Sequence, residues 1–281
     1  QVVFVATAMS IVSGAVAGRM KLVPFFLFAI VLTGFIYPIQ GYWNWGGGFL
    51  SEMGYSDYAG SGTVHLCGAA AALAVVLVLG PRKGKYAADG TTLPMPGSNI
   101  PMAALGVWIL WLGWFGFNGG SGFMIQNIGE ANAVSLIFVN TNAAAAGGVI
   151  AALLFAKLLF GKYDLSMSLN GAIGGLVSIT AEPLTPSPEL AAIIGAIGGI
   201  LVVISIIVLD KSKIDDPVGA ISAHGTCGIW GLIAVVFSNT SATLTTQLYG
   251  VITIFSWTFI MALIFWGILK AVIGIRVSSE E

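Results

Sequence analysis

Residues 56–65 read SDYAGSGTVH, and residues 215–224 read DDPVGAISAH. Each stretch places an Asp eight positions before a His, and His65 and His224 are the only two histidines in the chain. Eight helical residues rise about 12 Å, and half of the hydrocarbon core of a bilayer measures about 15 Å. If each Asp begins a helix at a membrane face, each His therefore lies near the midplane. An ionisable group at that depth is costly and is a candidate for function.

The composition excludes an ordinary soluble domain. Of the 281 residues, 57% are hydrophobic and 8% are charged, and the mean hydropathy is +0.95. A soluble fold with this composition would expose far too much apolar surface, so we predict an all-α polytopic membrane protein. The formal net charge of −1 argues against nucleic acid as a partner. Cys67 and Cys227 both lie in apolar helical stretches and do not indicate a disulfide framework.

Apolar stretches separated by polar turns predict nine spans. All 11 Lys and Arg residues fall on one side of the predicted bundle. By the positive-inside rule that side is cytoplasmic, so Gln1 lies outside and the C-terminus, Glu281, lies inside. We therefore expect a multi-pass protein of the cell (inner or plasma) membrane. The predicted spans are 1–17, 22–42, 60–80, 100–119, 131–158, 168–184, 188–209, 217–238 and 247–271.

The two Asp-to-His stretches enter the predicted membrane from opposite faces, because the first follows an outer loop and the second an inner one. This is typical of an inverted-topology repeat, whose functional site lies at the midplane where the halves meet. The first His lies on the third predicted span, and the second lies on the fifth span after it. We therefore expect two helices to be absent from the front of the repeat.

Two histidines at one depth could be core residues bonded to backbone carbonyls, or they could form a pair. Two neutral imidazoles can share one N–H···N bond, so we expect nitrogens of His65 and His224 within about 2.7–3.2 Å of each other. A zinc site is the third interpretation. Cys67 follows its His by two residues and points to another helix face, whereas Cys227 follows by three. A closed site with four ligands is therefore disfavoured.

Asp57 and Asp216 fit the pattern of helix N-caps, whose side-chain oxygens accept the first backbone N–H groups of a helix. Pro217 follows Asp216 directly, which predicts a proline at the first helical position. The negative charge of Asp57 would also favour a nearby cation. A structural and an electrostatic role are compatible for this residue.

Three spaced motifs resemble signatures of the ammonium transporter family (Amt/Mep/Rh), in its bacterial Amt form. Residues 57–60 (DYAG) with 64–65 (VH) resemble the first signature, residues 113–118 (GWFGFN) the second and residues 224–231 (HGTCGIWG) the third. The resemblance covers residues 1–281 and implies one transmembrane domain similar to helices three to eleven of the family. The implied fold is an inverted five-plus-five helix repeat with a final helix, here about nine spans. The implied assembly is a homotrimer.

On the outer side, the resemblance assigns four residues. Phe4 and Phe117 resemble the two stacked phenylalanines that close the outer end of the pore. Trp45 and Ser121, helped by Phe4, resemble the site that recruits the cation. An aromatic face attracts a cation, and a hydroxyl can accept a hydrogen bond from ammonium. The alternative for Trp45 is plain anchoring at the membrane interface.

Within the pore, Trp114 resembles a lining aromatic residue, and His65 and His224 resemble the paired pore histidines. Asp57 matches a carboxylate below the outer vestibule. The resemblance implies a transporter rather than an enzyme, with neither cofactor nor metal.

The implied function is recruitment of NH4+ at the outer aromatic site and passage of NH3 through an apolar pore, with the proton relayed. The alternative is an ammonium-sensing receptor domain coupled to a cytoplasmic signalling module. A water or neutral-gas channel is a third interpretation, against which the aromatic cation site argues. The implied partners are ammonium or ammonia, methylammonium, membrane lipid and a cytoplasmic regulatory or signalling protein.

Overall fold

The structure, a computed structural model, describes residues 1–278, and over that range it contains nine apolar helical segments and no strand. Six segments are long and apolar enough to cross a membrane, and the other three are shorter. Each segment overlaps one predicted span, so the all-α polytopic fold is confirmed. The predicted position of Glu281 lies outside the described residues. The segments are α1 (Val2–Val16), α2 (Leu22–Glu52), α3 (Ser61–Leu79), α4 (Ile100–Gly120), α5 (Ile128–Phe160), α6 (Leu165–Thr180), α7 (Pro188–Lys211), α8 (Ile221–Phe237) and α9 (Leu244–Val272).

Side-chain caps set the start of five helices. In each, the side chain of the N-cap residue accepts a hydrogen bond from the backbone N–H three residues further on, which satisfies a group that has no partner inside the helix. Three helices consequently begin about one turn before the predicted spans, because polar residues assigned to loops belong to helix starts. The capping residues are Asn99, Asn127, Asp164, Ser187 and Thr243.

The start of α8 differs from the prediction. Asp216 does cap this helix, since its carboxylate accepts three backbone N–H groups at 2.8–3.3 Å. Pro217, however, does not occupy the first helical position. It lies in a turn that ends at Gly219, whose φ of +76° favours glycine, and the helix begins at Ile221. The prediction for Pro217 was wrong because this turn separates the cap from the helix.

Glycine lets α5, α6 and α7 approach each other at backbone distance. Gly148 of α5 lies against Gly175 of α6, and Gly199 of α7 lies against Gly148. Gly195 of α7 lies against the backbone of Ala144 in the same way, so that a Cβ at Gly195 would overlap it. The small residues of 171–175 and 195–199 therefore let these helices pack closely.

Basic residues gather at one end of the bundle. Arg82 donates two hydrogen bonds to the carboxylate of Asp215 at 2.8 and 2.9 Å, and Arg19 donates to the Asp215 carbonyl at 2.8 Å. Burial raises the pKa of Asp215, but the hydrogen bonds and charge of Arg82 outweigh it and hold the pKa below its usual value. Other cations bond the loops and helix ends here: Lys85, Lys213, Lys270 and Arg276.

We expect Gly195→Ala to destabilise the bundle by about 3 kcal/mol, because the new methyl group would force α7 away from Ala144. Gly267→Ala is the matched control, since a Cβ at Gly267 meets nothing within 4 Å. The control should be neutral or gain up to about 1 kcal/mol of helix propensity. Thermal unfolding in detergent measures both variants. Equal unfolding temperatures would contradict close packing at Gly195.

Candidate pore and twin-histidine site

The two histidine-bearing helices begin with the same unusual turn. His65 lies in a six-residue π-helical turn, Ser61–Leu66, and His224 lies in another, Ile221–Thr226. π-Helical turns are rare and are frequent at functional sites. Each turn follows an Asp whose carboxylate holds its backbone N–H groups. The two stretches that are similar in sequence are therefore also similar in structure.

Asp57 accepts hydrogen bonds with both carboxylate oxygens. Oδ1 accepts from the Gly60 N–H at 3.2 Å, and Oδ2 accepts from the N–H groups of Gly62 and Thr63 at 3.0 and 2.8 Å and from the Thr63 hydroxyl at 3.0 Å. Burial raises the pKa of Asp57, and the hydrogen bonds from Thr63 and Gly62 oppose that rise. The Asp57 side chain thus accepts the first backbone N–H groups of α3, as predicted, although Gly60 is the residue at the N-cap position. Its electrostatic role remains a prediction.

His65 and His224 meet inside the bundle. Their Nδ1 atoms lie 3.1 Å apart and the ring centroids 5.1 Å apart. One Nδ1 must donate and the other accept, so a single proton occupies this contact. The buried Nε2 of His65 has no hydrogen-bond partner among the described residues. The expected distance between the two side chains is confirmed, and the role of the pair remains a prediction.

Aromatic rings connect the outer residues to the histidines. Trp45 contacts Phe4 at 5.8 Å, Phe4 contacts Phe117 at 4.3 Å, and Phe117 contacts His65 at 5.3 Å between ring centroids. Phe4 and Phe117 are tilted by 57° rather than stacked. This corrects the expected geometry, because Phe4 packs edge-on against Trp45 as well and tilted pairs are favoured over face-to-face ones. The ring column consists of Trp45, Phe4, Phe117, His65 and His224.

Trp114 is buried beside this column. Its ring stacks on His65 at 5.1 Å, and its indole N–H donates to the hydroxyl of Thr180 at 2.8 Å. Thr180 was missed by the sequence analysis, because it lies in no recognisable motif. The Thr180 hydroxyl also donates to the Leu176 carbonyl at 2.7 Å. This second hydrogen bond orients the hydroxyl oxygen that accepts from the Trp114 indole.

Trp45 and Ser121 attach to the column in different ways. The indole N–H of Trp45 donates to the Asp57 carbonyl at 2.9 Å, which joins the predicted cation site to the cap of α3. The hydroxyl of Ser121 donates to the carbonyl of Phe117 at 2.9 Å, one helical turn earlier. Its oxygen keeps capacity to accept another hydrogen bond. Binding by these residues is not tested by the geometry and remains a prediction.

A cavity of about 920 Å³ lies below the column. His65, His224 and Phe117 line it at one end, and Arg82 and Lys85 line it at the other. The cavity therefore extends from the histidine pair to the end of the bundle that carries the basic residues. Between these ends the wall includes apolar side chains from four helices: Ile11, Val107, Leu110, Ile173 and Ile206.

Both cysteines are buried and unpaired. The Cys67 Sγ lies 3.6 Å from the Thr258 hydroxyl, and the Cys227 Sγ lies 3.3 Å from the Gly198 carbonyl. Over residues 1–278, no cluster of three or more His, Cys, Asp or Glu residues is arranged to hold a metal ion.

The fold and this aromatic, histidine-bearing cavity place the chain among polytopic membrane proteins of the Amt/Mep2 architecture. The sequence profile of the Ammonium Transporter Family matches residues 1–281, and the chain belongs to that family. Ammonium transporter Amt2 of Archaeoglobus fulgidus is 42% identical over 309 aligned positions, which cover 99% of this chain and 65% of Amt2. The chain therefore spans just under two thirds of that relative.

Solved structures show the same fold. The structure described as "Sensor Amt Protein" has a TM-score of 0.95 and 37% sequence identity to this chain. The match covers 100% of this chain and 73% of the chain in that structure. Mep2 of Candida albicans has a TM-score of 0.87 and 28% sequence identity to this chain. The match covers 99% of this chain and 65% of the Mep2 chain.

Both carboxylate oxygens of Asp57 accept hydrogen bonds, so we expect Asn to replace this cap only at a cost. An amide has one oxygen, so Asp57→Asn would turn an N–H group toward a backbone donor and should cost about 1 kcal/mol. Asp57→Ala leaves several buried donors unpaired and should cost about 3 kcal/mol. Asp216→Asn, at the equivalent cap of α8, should cost a similar amount, because both oxygens of Asp216 also accept backbone N–H groups. Thermal unfolding would contradict this ordering if Asp57→Asn matched the wild type.

Proposed function

We propose that this chain forms one transmembrane domain that transports ammonium, recruiting NH4+ at an outer aromatic site and passing NH3 through an apolar pore while the proton is relayed. The observation that carries the proposal is the ring column, which runs without interruption from Trp45 to His224 and ends in the cavity. Membership of the Ammonium Transporter Family supports ammonium as the substrate.

The aromatic site suits recruitment of a cation. The indole N–H of Trp45 is engaged by the Asp57 carbonyl, so the π face is the part of this ring that remains for a cation. Such a contact is worth roughly 0.5–2 kcal/mol. Transfer of an unpaired charge into an apolar interior costs far more. We therefore expect NH4+ to give up its proton at the outer side of the phenylalanines, so that neutral NH3 continues past them and the proton is passed on to the histidine pair.

The histidine pair suits transfer of a proton and contact with a neutral amine. The Nδ1 atoms share one proton, so the remaining nitrogens are one donor and one acceptor. The unpartnered Nε2 of His65 can exchange a hydrogen bond with ammonia or with a relayed proton. An adjacent pair of charged imidazoles would be strongly disfavoured at this depth.

We further propose a homotrimer in the cell membrane, with each protomer holding its own pore and the C-terminus on the cytoplasmic side. The cluster of Arg19, Arg82 and their neighbours at one end of the bundle supports this orientation. A cytoplasmic regulatory partner would approach the same end. Mass measurement in detergent should give three protomers, and a stable monomer would contradict the assembly.

An ammonium receptor is the second candidate. It is favoured by one observation, the TM-score of 0.95 with the structure described as a sensor Amt protein. A receptor and a transporter would use the same cation site, so the two differ in flux and not in binding.

Ammonium-driven current in liposomes tests the proposal. The protein that carries this chain should give a saturable current, and the double variant His65→Ala/His224→Ala should change its ion selectivity or abolish it. Absence of current together with saturable ammonium binding would support the receptor. Absence of both would contradict an ammonium site.

We expect Trp45→Leu to weaken the apparent affinity for ammonium about fivefold, which corresponds to a cation–π contribution of roughly 1 kcal/mol. Leu keeps apolar bulk but removes the π face. Ser121→Ala should have a smaller effect, because it removes one acceptor. Trp108→Leu is the control, since Trp108 is 71% exposed on the outer surface of α4. An unchanged affinity in Trp45→Leu would reduce Trp45 to an interfacial anchor.

A further inference from the structure

Gln247, in the second turn of α9, is fully buried and makes three hydrogen bonds. Its Nε2 donates to the Ser56 carbonyl at 2.8 Å, and its Oε1 accepts from the Ser56 N–H at 2.9 Å. The second N–H of the amide donates to the Leu232 carbonyl at 3.0 Å. The side chain thus pairs with both backbone groups of Ser56, as a neighbouring strand would, and uses both of its donors.

These bonds join α9 to both histidine-bearing helices. Ser56 directly precedes Asp57, whose carboxylate caps α3 and whose carbonyl holds the Trp45 indole. Leu232 lies in α8, two helical turns beyond His224. One amide therefore connects the loop of the aromatic cation site with the helix that carries the second histidine.

The two halves of the loop before α3 are held by different helices. The N–H groups of Tyr58 and Ala59 donate to the carbonyls of Ala181 and Thr180 at 2.7 and 3.0 Å, so the end of α6 holds the second half of the loop. Gln247 holds Ser56 in the first half. Removing the amide leaves backbone groups of Ser56 and Leu232 without partners, and such groups in a buried place favour a shift of the chain.

A second contact from α9 supports the same loop. The ring of Tyr55 lies against Gly250 so closely that a Cβ there would overlap it. The hydroxyl of Tyr55 in turn donates to the Asp57 carboxylate at 3.4 Å. Because Gln247 and Gly250 are three residues apart, they lie on the same helix face. This face of α9 therefore contacts both Tyr55, through Gly250, and Ser56, through Gln247.

We propose that Gln247 is a positioning residue for ammonium recognition: it fixes the Asp57 carbonyl, and through it the plane of the Trp45 indole, relative to the pore. The proposal rests on the proposed function, since it concerns the same cation site. Gln247 does not touch the substrate. Because the Asp57 carboxylate stays bonded to the start of α3, a shift of the Asp57 carbonyl should weaken recruitment and leave passage through the histidine pair unaltered.

The test separates recruitment from passage. Gln247→Met keeps the length and bulk of the side chain and removes all three hydrogen bonds. We expect the half-saturating ammonium concentration of the liposome current to rise about tenfold, corresponding to about 1.4 kcal/mol, with the maximal current within about twofold of wild type. Thr258→Val is the matched control on the same helix, because Thr258 bonds Cys67 and does not reach the loop. It should leave both quantities unchanged.

A second variant covers the case in which Gln247→Met does not fold. Gln247→Asn keeps a neutral amide that is one methylene shorter, so it cannot reach both groups of Ser56 and Leu232 together. It should fold and still raise the half-saturating concentration. Wild-type affinity in either folded variant, or a lower maximal current at unchanged affinity, would overturn the positioning role.

Ammonium binding measured by the increase in unfolding temperature distinguishes the two proposals without requiring current. If the wild type binds ammonium and Gln247→Met binds equally well, the positioning role alone fails. If the wild type neither binds nor conducts ammonium, the proposed function fails and the positioning role fails with it. Weaker binding in Gln247→Met beside normal binding in Thr258→Val supports both.

Discussion

The contact between the Nδ1 atoms of His65 and His224, at 3.1 Å, is the constraint on which the rest of the structure depends. It requires two helices that start from opposite ends of the bundle to reach the same depth in the same orientation. Asp57 and Asp216 provide this, because each holds the N–H groups of a π-helical turn and each stands eight residues before its histidine. A change of one residue in either spacing would rotate its histidine by about 100° around the helix.

Polar groups around the pore are mostly used in internal hydrogen bonds. Asp57 is occupied by backbone donors, the Trp45 indole by a carbonyl, and the Trp114 indole by Thr180. Along the ring column, the groups still available to a substrate include the aromatic faces and the unpartnered Nε2 of His65. This distribution follows from the cost of an unpaired polar group in an apolar interior. In the proposed function, such a path would hold a cation weakly at one end and favour neutral molecules beyond.

Local rules of helix geometry predict part of this arrangement from the sequence. Helix rise and bilayer thickness predicted His65 and His224 at one depth, and the family resemblance pointed to Phe4, Phe117 and Trp114. Bonds between distant segments left no signal: Gln247 bonds Ser56 across 191 residues of sequence and resembles any polar residue of an apolar helix. The predicted place of Pro217 at the first helical position was wrong because the fixed φ of proline suits a turn as well as a helix start. The tilt of Phe4 depends on Trp45, a neighbour that no spacing rule supplies.

Conduction and sensing place the same demand on the outer site but different demands on the helices below it. A receptor needs the bound cation to change the position of α3, and the Trp45 indole already bonds the cap of that helix. A transporter instead needs the cap to stay still while ammonia passes Phe117. The Asp57 carboxylate is bonded to the start of α3, the residue before Asp57 is bonded to Gln247, and the two residues after it are bonded to the end of α6. Displacement of this loop would therefore break several buried hydrogen bonds together. That stiffness favours passage of the substrate over movement of the site.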